Sequence, residues 1–211
     1  MVLGAIPLPA HWKSRSTTPA HEPMNFLILV RHSLPVAVPG EPPATWHLSD
    51  EGRQRCLTLA NHLADYDPGL IITSQEVKAI ETCEILAQRL GIPCLAADGL
   101  HEHVRKPAKS FAKDSFERSV KKFFTYPDEL VFGEETANQI YARFYQAVTS
   151  LLELYPDERL AIVSHGTVIS LFICRENGIP EFEYWSKLSL PAIVVLSLPD
   201  FRLVDTIRFG I

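Results

Sequence analysis

The sequence predicts an α/β fold with a mostly parallel central sheet and helices on both of its faces. Three largely apolar runs, at residues 26–30, 70–73 and 160–163, show no alternation of apolar and polar side chains. Runs of this kind are typical of strands that are buried on both faces. Helical patterns separate the strand candidates, and this strand–helix–strand spacing indicates right-handed crossover connections on a parallel sheet.

The bulk composition favours one domain of moderate size. The chain has 211 residues, of which 46% are hydrophobic and 21% are charged, and these values are ordinary for a globular protein with a real core. Its formal net charge of -5 gives no reason to expect nucleic acid as a partner. No apolar run reaches the roughly 18 residues that a membrane span requires, so no membrane partner is expected either.

Residues 1–23 differ in composition from the rest of the chain and are predicted to form a flexible tail. They contain four prolines and a polar patch, HWKSRSTT, and show neither helical nor strand periodicity. Prolines also interrupt the one apolar stretch that could belong to a signal peptide. We therefore expect a single folded domain over residues 24–211, with Met24 as a candidate start of the folded protein, and of translation.

The four cysteines show neither CxxC spacing nor the density of a disulfide-rich protein. We predict that all four are buried free thiols in a reducing compartment, and a cytoplasmic location follows from that prediction. The cysteines are Cys56, Cys83, Cys94 and Cys174.

A proline-rich loop at residues 35–43 follows the first strand and leads to the first helix. Ser49 or Asp50 can cap this helix, and acidic residues in its first turn favour the amino-terminal end. Apolar residues recur with helical spacing and are expected to pack on the sheet. The predicted apolar face consists of Leu57, Leu59, Ala60, Leu63 and Ala64.

The second strand candidate, at residues 70–73, ends at a Thr-Ser pair and is followed by a second helix. This helix is predicted over Val77–Leu90, because Gly91 and Pro93 supply a carboxyl-terminal stop. A third, short strand is predicted over residues 93–97. Each strand is thus joined to the next by a helix, as a parallel sheet requires.

The rest of the chain interrupts the alternation of strands and helices once and then continues it. Residues 98–131 are rich in charged and aromatic side chains, and we interpret them as an inserted cap segment with a helix at SFERSVKKFF. A long helix is predicted from residues 133–136 to Leu154, then a strand at 160–163 and a helix through about Arg175. Two last strands are predicted at AIVVLSL and FRLVDTIRF.

Two of the predicted strands end in a histidine. The first strand leads to Arg31 and His32, and the strand at residues 160–163 leads to Ser164 and His165. In α/β proteins the functional side chains lie at the carboxyl ends of parallel strands, and two such ends can be neighbours although they are far apart in sequence. The sequence therefore predicts a basic site at this edge of the sheet.

Four segments together resemble the histidine phosphatase superfamily, of the phosphoglycerate mutase-like, branch 1 type. LILVRHS is similar to the family's opening L-x-R-H-G, with Ser33 in place of glycine, and IVSHG is similar to its later histidine segment. Residues 74–83 resemble the segment S-P-L-x-R-A-x-Q-T-A, with Lys78 where the family has arginine. Residues 100–102 match the L-x-E pattern of the acid. The resemblance covers the chain from about Met24 to its end.

The resemblance implies a three-layer α/β/α sandwich and a metal-independent phosphomonoester hydrolase that acts on a small phosphorylated metabolite through a phosphohistidine. His32 would attack phosphorus, and Glu102 would protonate the leaving oxygen and then activate water. Glu102 would need a raised pKa, which burial under the cap segment would supply. No cofactor or metal is expected, because the basic residues stabilise the charge. The expected phosphate ligands are Arg31, Lys78, Gly166 and His165, the last also assigned to catalysis.

Several alternatives for the site stay open at the level of the sequence. Glu134 or Glu135 could supply the acid in place of Glu102, and the His-Glu-His sequence at residues 101–103 could chelate a metal. Lys78 could be an ordinary exposed lysine. Basic residues of the cap segment could extend the site or be ordinary surface charge. They are Arg105, Lys106 and Lys109.

Two alternative functions also stay open. The mutases of the family follow L-x-E with R-x-Y-G, whereas residues 103–106 here read HVRK, so hydrolysis is favoured over mutase-type phosphoryl transfer. Ser33 and Lys78 depart from the family pattern, which leaves room for a non-catalytic protein that binds a phosphate ligand. The expected partner is a small-molecule phosphate ester of open identity. The oligomeric state is open too, with a homodimer as one option.

Overall fold

Six strands form one sheet in the part of the chain that the computed structural model describes, residues 26–105 and 113–209. They are β1 (Phe26–Arg31), β2 (Leu70–Thr73), β3 (Cys94–Ala96), β4 (Leu160–Ser164), β5 (Ala192–Ser197) and β6 (Arg202–Arg208). Their spatial order is β3-β2-β4-β1-β5-β6. The first four of these are parallel to one another, and β5 is antiparallel to both of its neighbours. The predicted, mostly parallel sheet is confirmed.

Helices cover both faces of this sheet. They are α1 (Asp50–Ala64), α2 (Val77–Leu90), α3 (Lys113–Thr125), α4 (Ala137–Leu154), α5 (Gly166–Asn177) and α6 (Glu181–Lys187). The core between the sheet and α1 and α2 is separate from the core that the sheet shares with the other four helices. The three-layer α/β/α sandwich is therefore confirmed. Within the described ranges, no helix combines the length and apolarity that crossing a membrane would require.

Strand β1 shows why the apolar runs lack alternation. Leu27 and Leu29 belong to the core under α4 and α5, whereas Ile28 and Val30 belong to the core under α1 and α2. Successive side chains of a strand point to opposite faces, and here both faces are covered. All four side chains are fully buried, as the sequence pattern predicts.

The ends of the helices follow from ordinary capping chemistry. The Ser49 side chain caps α1 by accepting a hydrogen bond from the backbone N–H of Gly52. Gly91 ends α2 in the left-handed conformation, with a φ of 66°. Thr136 and Gln139 form a capping box at the start of α4. These caps set the directions in which the chain enters and leaves the sheet.

Two features of the helices differ from the sequence prediction. Leu57 and Ala64 are exposed, Leu57 by 43%, and Cys56 lies on the buried face of α1 with Leu59, Ala60 and Leu63. Helix α6, which follows Pro180, was not predicted. Its seven residues cover only about two turns, which is too short for a helical period to be recognised.

The cysteines require a correction, because Cys83 and Cys94 form a disulfide. Cys83 lies in the middle of α2 and Cys94 begins β3, and their Cα atoms are 6.2 Å apart. The chain reverses after α2, so two residues 11 positions apart become neighbours, a proximity that spacing rules for cysteine do not capture. The prediction of buried free thiols holds for Cys56 and Cys174 alone.

The cap segment lies partly within the described residues. Its predicted helix is α3, whose Val120 and Phe123 are buried in the core under α4 and α5. Lys106 and Lys109 lie outside the described ranges, as does the predicted tail at residues 1–23.

Candidate active site

The carboxyl ends of β1 and β4 lie side by side, as the sequence predicts. The two strands are parallel neighbours, with Arg31 in register with Ser164. The backbone N–H of His32 donates to the Ser164 carbonyl at 2.9 Å. The His32 and His165 rings follow directly, and their centroids are 5.1 Å apart. The two histidine segments thus form one site.

His32 is held in a defined tautomer. Its Nδ1 atom lies 2.7 Å from the Ser33 carbonyl, and a carbonyl can only accept, so Nδ1 carries the proton. Burial, followed by the nearby His165 ring and the charges of Lys78 and Arg31, holds the pKa of His32 well below its ordinary value. The neutral ring therefore keeps a lone pair on Nε2.

Ser33, where the family pattern has glycine, joins the site to both helices on one face of the sheet. Its hydroxyl donates to the Gly52 carbonyl in α1 at 2.7 Å. Its backbone N–H donates to Thr82 Oγ1 in α2 at 3.0 Å, and that hydroxyl donates to the Lys78 carbonyl at 2.7 Å. The serine side chain is fully buried and is used in fixing the loop that holds His32.

Arg31 lies against the start of α5. Its Nη1 group donates to the Leu188 carbonyl, while its buried Nε has no hydrogen-bond partner among the described residues. A Cβ atom on Gly166 would lie 2.9 Å from the guanidinium carbon, so the glycine makes room for Arg31. Burial lowers the pKa of Arg31 to about 10, against the opposing charge of Glu102. The arginine thus remains a cation at neutral pH.

Lys78 is buried and paired with an acid that the sequence reasoning did not identify. It is only 4% exposed, so its interpretation as an exposed lysine is wrong. Its ammonium donates to the carboxylate of Glu76 and, at 2.8 Å, to the Pro43 carbonyl. The other Glu76 oxygen accepts the backbone N–H of Glu102 at 2.7 Å and lies 3.5 Å from His165 Nε2. Glu76 therefore contacts three of the predicted site residues.

Glu102 belongs to the loop after β3, and its side chain reaches the first turn of α5. Its two oxygens accept the backbone N–H groups of His103 at 2.9 Å and of Thr167 at 3.0 Å. Burial raises its pKa, but the nearby His165 ring, the charge of Arg105 and the two N–H groups outweigh burial, so the pKa of Glu102 is lowered. The expectation of a raised pKa is therefore wrong, because backbone N–H groups of α5 and of its own loop stabilise the ionised carboxylate.

His165 is fully buried, and it is held through Nε2, whereas His32 is held through Nδ1. Its Nε2 atom shares a hydrogen bond with Ser74 Oγ at 2.6 Å. Its Nδ1 atom has no hydrogen-bond partner among the described residues. Burial is the main reason that the pKa of His165 lies well below its ordinary value, followed by the charge of Lys78. A neutral ring with a buried, unpartnered nitrogen is suited to contact a ligand.

The alternative acid Glu135 and the candidate metal ligands His101 and His103 have other contacts. Glu135 forms two 2.8 Å bonds with Arg143, which also donates to the His101 carbonyl, and so fixes the loop before Glu102. The His103 ring stacks on Phe123 with a centroid distance of 4.7 Å. Within residues 26–105 and 113–209, no three side chains are arranged to hold a metal.

The positions of Glu134 and Arg105, two other residues considered for the site, are also defined. The backbone N–H of Glu134 donates to the Val104 carbonyl. The Arg105 guanidinium lies 4.9 Å from the centre of the Phe116 ring, which is a cation–π geometry. Arg105 therefore packs within the cap segment, while its charge is felt at Glu102.

Ser74 and Glu76 are the site residues that sequence reasoning missed. Both follow the carboxyl end of β2, the same position that singled out His32 after β1 and His165 after β4. Applying the strand-end argument to β2 would have found them. Thr82 was missed for a different reason, because a threonine inside a helix gives no such signal, and Thr167 was missed because its contact with Glu102 is made by its backbone N–H.

Comparisons with known proteins identify the family of the chain. A phosphatase of Bacillus subtilis (strain 168), named PhoE and described as uncharacterised, is 24% identical over 131 residues, or 62% of this chain. The match spans 65% of that relative, slightly less than two thirds of its length.

Several solved structures share the fold at low sequence identity. Bacillus stearothermophilus YhfR has a TM-score of 0.68 at 20% identity, over 88% of this chain and 98% of its own. The α-ribazole phosphatase of Shigella flexneri has a TM-score of 0.66 at 19% identity, over the same shares. A mycobacterial glucosyl-3-phosphoglycerate phosphatase has a TM-score of 0.64 at 18% identity, over 82% and 90%. A family model, the histidine phosphatase superfamily (branch 1), matches residues 27–201, and the chain belongs to that superfamily.

Proposed function

We propose that the protein is a metal-independent phosphomonoester hydrolase that forms a phosphohistidine on His32. The observation that carries the proposal is the hydrogen bond of His32 Nδ1 to the Ser33 carbonyl. It leaves the lone pair on Nε2, and the lowered pKa keeps the ring neutral at pH 7. A neutral imidazole with a free lone pair is what nucleophilic attack on phosphorus requires.

The groups around His32 support the binding of a phosphate ester. Arg31 Nε and His165 Nδ1 are buried nitrogens that lack a hydrogen-bond partner in the described part of the chain. Such groups are rare in folded proteins unless a ligand or water satisfies them. With the Lys78 ammonium, they supply donors and positive charge for phosphate oxygens, which is why the proposed reaction needs no metal.

The proposed reaction has two steps. In the first, a bond forms between His32 Nε2 and phosphorus while the P–O ester bond breaks, and the leaving oxygen takes a proton from the carboxyl of Glu102. In the second, the ionised Glu102 takes a proton from water, whose oxygen attacks phosphorus and releases inorganic phosphate from His32. Glu102 is ionised, so the proton that it gives to the leaving oxygen must first reach it from the monoanionic form of the phosphate ester.

A non-catalytic protein that binds a phosphate ligand is the second candidate function. The Lys78–Glu76 ion pair favours this binding function, because the Glu76 carboxylate neutralises a cation that would otherwise bind the phosphate ester. A phosphoglycerate mutase-type transfer uses the same first step and differs in retaining the phosphate for return to a second hydroxyl. The relatives compared above carry phosphatase names, which supports hydrolysis over transfer.

An assay with p-nitrophenyl phosphate in the presence of EDTA distinguishes these functions. We expect turnover by the native protein and none by His32→Ala. His62→Ala is a matched control, because this exposed histidine lies in the last turn of α1, far from the amino-terminal end that contacts Ser33. Phosphate binding without turnover would support the binding protein instead. Turnover that is lost with EDTA and restored by metal would contradict the proposed mechanism.

The natural substrate is proposed to be a small phosphorylated metabolite, with no nucleic acid or membrane partner. A panel of phosphorylated metabolites, assayed for released phosphate with the native protein and Glu102→Ala, would identify it. A compound that is hydrolysed by the native protein and not by the variant is the expected result. Release of phosphate from none of the panel would restrict the proposal to other classes of phosphate ester, such as phosphoproteins.

A cytoplasmic location is also part of the proposal. The two buried free thiols agree with it, whereas the Cys83–Cys94 disulfide favours an oxidising compartment. Trapping thiols with a maleimide in intact cells would decide between the two. Modification of all four cysteines after denaturation in the trapping reagent would support the cytoplasm, and modification of two would contradict it.

A further inference from the structure

Arg105 is a basic residue beside the proposed phosphate site that neither step of the proposed reaction uses. It lies three positions after Glu102 in the same loop, and three residues of extended chain span at most roughly 11 Å. Its charge is one of the causes that lower the pKa of Glu102. Arg105 stands where the mutase pattern R-x-Y-G has tyrosine, so a role for this arginine does not follow from the family resemblance.

Two aromatic side chains fix the position of the Arg105 side chain. Its guanidinium carbon lies 4.9 Å from the centre of the Phe116 ring in α3. Phe116 in turn forms a T-shaped contact with Trp185 of α6, with a centroid distance of 6.0 Å. A cation–π contact uses the face of the guanidinium group. The N–H groups lie in the plane of that group and stay available for other partners.

Helix α6 connects this aromatic pair to the phosphate site. The backbone N–H of Leu188, the residue directly after α6, donates to the Trp185 carbonyl at 3.3 Å. The Leu188 carbonyl accepts a hydrogen bond from Arg31 Nη1. Arg105 is therefore joined to the site by two short routes, one through the Glu102 loop and one through α6.

The Arg105 guanidinium has a donor that the protein itself does not use. Its Nε atom is buried and has no hydrogen-bond partner in the described part of the chain. The two Glu102 oxygens accept the backbone N–H groups of His103 and Thr167 instead. A buried donor on a charged group is costly when it has no partner, and anionic oxygens are its strongest partners.

We propose that Arg105 is a specificity-determining residue that binds a second anionic group of the substrate, while the residues around His32 bind the phosphate that is removed. The second group is a carboxylate or another phosphate, because the arginine fork binds the oxygens of either one bidentately. It lies only a few bonds from the ester oxygen, since Arg105 is close to Glu102 in the chain. This inference rests on the proposed function and specifies the class of metabolite that is hydrolysed.

The carboxylates of the site make a second anionic group a sensitive probe of Arg105. Glu76 and Glu102 lie next to each other, and Glu76 accepts the backbone N–H of Glu102 at 2.7 Å. Both carboxylates repel a further negative charge on the ligand. A preference for ligands with a second anionic group therefore requires a cation that outweighs this repulsion, and loss of that cation should abolish or reverse the preference.

Calorimetric titration with phosphonates tests the inference without relying on turnover, because the protein does not hydrolyse their P–C bond. Propylphosphonate and 3-phosphonopropanoate are nearly equal in size, and the second has a carboxylate in place of a methyl group. For the native protein we expect a Kd at least about tenfold lower for 3-phosphonopropanoate. Ethane-1,2-bisphosphonate carries a second phosphonate in place of the carboxylate. The tighter binder of the two anionic compounds, corrected for the two equivalent ends of the bisphosphonate, identifies the preferred second group.

Two substitutions of Arg105 remove its charge in different ways. Arg105→Met keeps a long side chain against Phe116, and Arg105→Gln keeps a polar side chain that can donate. We expect both variants to bind 3-phosphonopropanoate no more tightly than propylphosphonate. Arg89→Met is the matched control and should keep the native preference, because Arg89 is exposed in the last turn of α2, at the end opposite to Lys78.

Each outcome bears on the inference. A native protein that binds propylphosphonate as tightly as both anionic compounds, or a native preference in either Arg105 variant, would overturn it. Failure of the native protein to bind any of the phosphonates would overturn both the inference and the proposed phosphate site. A preference that depends on Arg105, without hydrolysis of any ester, would support the inference and overturn the proposed hydrolase alone. Hydrolysis of p-nitrophenyl phosphate by a protein that lacks the preference would support the hydrolase and overturn the inference.

Discussion

His32 and His165 follow neighbouring parallel strands, yet their rings are held in opposite ways. His32 is bound through Nδ1, by a backbone carbonyl that can only accept. His165 is bound through Nε2, by the hydroxyl of Ser74, which can donate or accept. The same position in the fold therefore gives one ring a fixed lone pair and gives the other a nitrogen that can serve as a donor. This difference supports the proposal that His32, rather than His165, is the nucleophile.

The loss of His32 is expected to have the largest effect. His32→Ala removes the proposed nucleophile and should lower kcat by at least about a thousandfold. Acid-labile, base-stable phosphate on the protein, measured after rapid quenching with labelled substrate, should be absent in this variant. Labelled phosphohistidine that persists in His32→Ala would reverse the assignment of the two rings.

His165→Asn is expected to cost less, about a hundredfold in kcat. The amide can replace one donor, and the nucleophile stays in place. The phosphorylated protein should therefore still form in the quench experiment, more slowly than in the native protein. A loss equal to that of His32→Ala, with no phosphorylated protein, would show that the two histidines are not functionally distinct.

Acid should destabilise the fold because both rings are buried in the neutral form. Their folded pKa values are lowered, whereas an unfolded histidine titrates near 6.5. Below that pH the unfolded chain binds more protons, so the free energy of unfolding falls as the pH falls. The expected loss is about 1.4 kcal/mol per pH unit for each such histidine.

Urea unfolding at several pH values measures this loss. His165→Asn should remove one histidine's share of the slope. His103 contributes to the slope in the same way, because burial is the main reason that its pKa is lowered to about 4. His103→Phe should remove this contribution to the slope at pH values down to about 4. A slope that is the same in all three proteins would contradict the neutral state of the buried rings.

Ser33→Ala is expected to have the smallest effect. It removes the hydrogen bond to the Gly52 carbonyl, which should lower the free energy of unfolding by about 1 kcal/mol. The carbonyl of residue 33 that binds His32 is retained, so kcat should change less than in either histidine variant. Urea unfolding and the p-nitrophenyl phosphate assay check both statements. A large loss of kcat at native stability would mean that the hydroxyl itself acts on the ligand.

Much of the fold could be predicted because local patterns and the tertiary structure agree. The buried strands β1, β2 and β4 have continuous apolar runs, and α2 has a stop signal directly after its last turn. The two strand-end histidines could be predicted in the same way, because topology alone makes parallel neighbours of β1 and β4. The resemblance then supplied Lys78 and Glu102, which lie on other elements.

The rest could not be predicted because it depends on contacts between distant segments. The buried Lys78–Glu76 pair, for example, includes a hydrogen bond from the Lys78 ammonium to the Pro43 carbonyl, 35 positions earlier in the chain. The direction of the Glu102 pKa depends on an N–H of α5 that lies 65 positions later in the chain. Opposing effects of burial and hydrogen bonding decide such a direction, and the sequence does not reveal their balance.

The Cys83–Cys94 bond has a practical consequence for every comparison of variants. Cys83 directly follows Thr82, whose hydroxyl holds the Ser33 N–H beside His32. The helix that carries Lys78 is therefore covalently cross-linked to the edge strand β3. Preparations made with and without a reducing agent are two different covalent species. Activities and unfolding curves are comparable only between samples whose thiol content has been measured and matched.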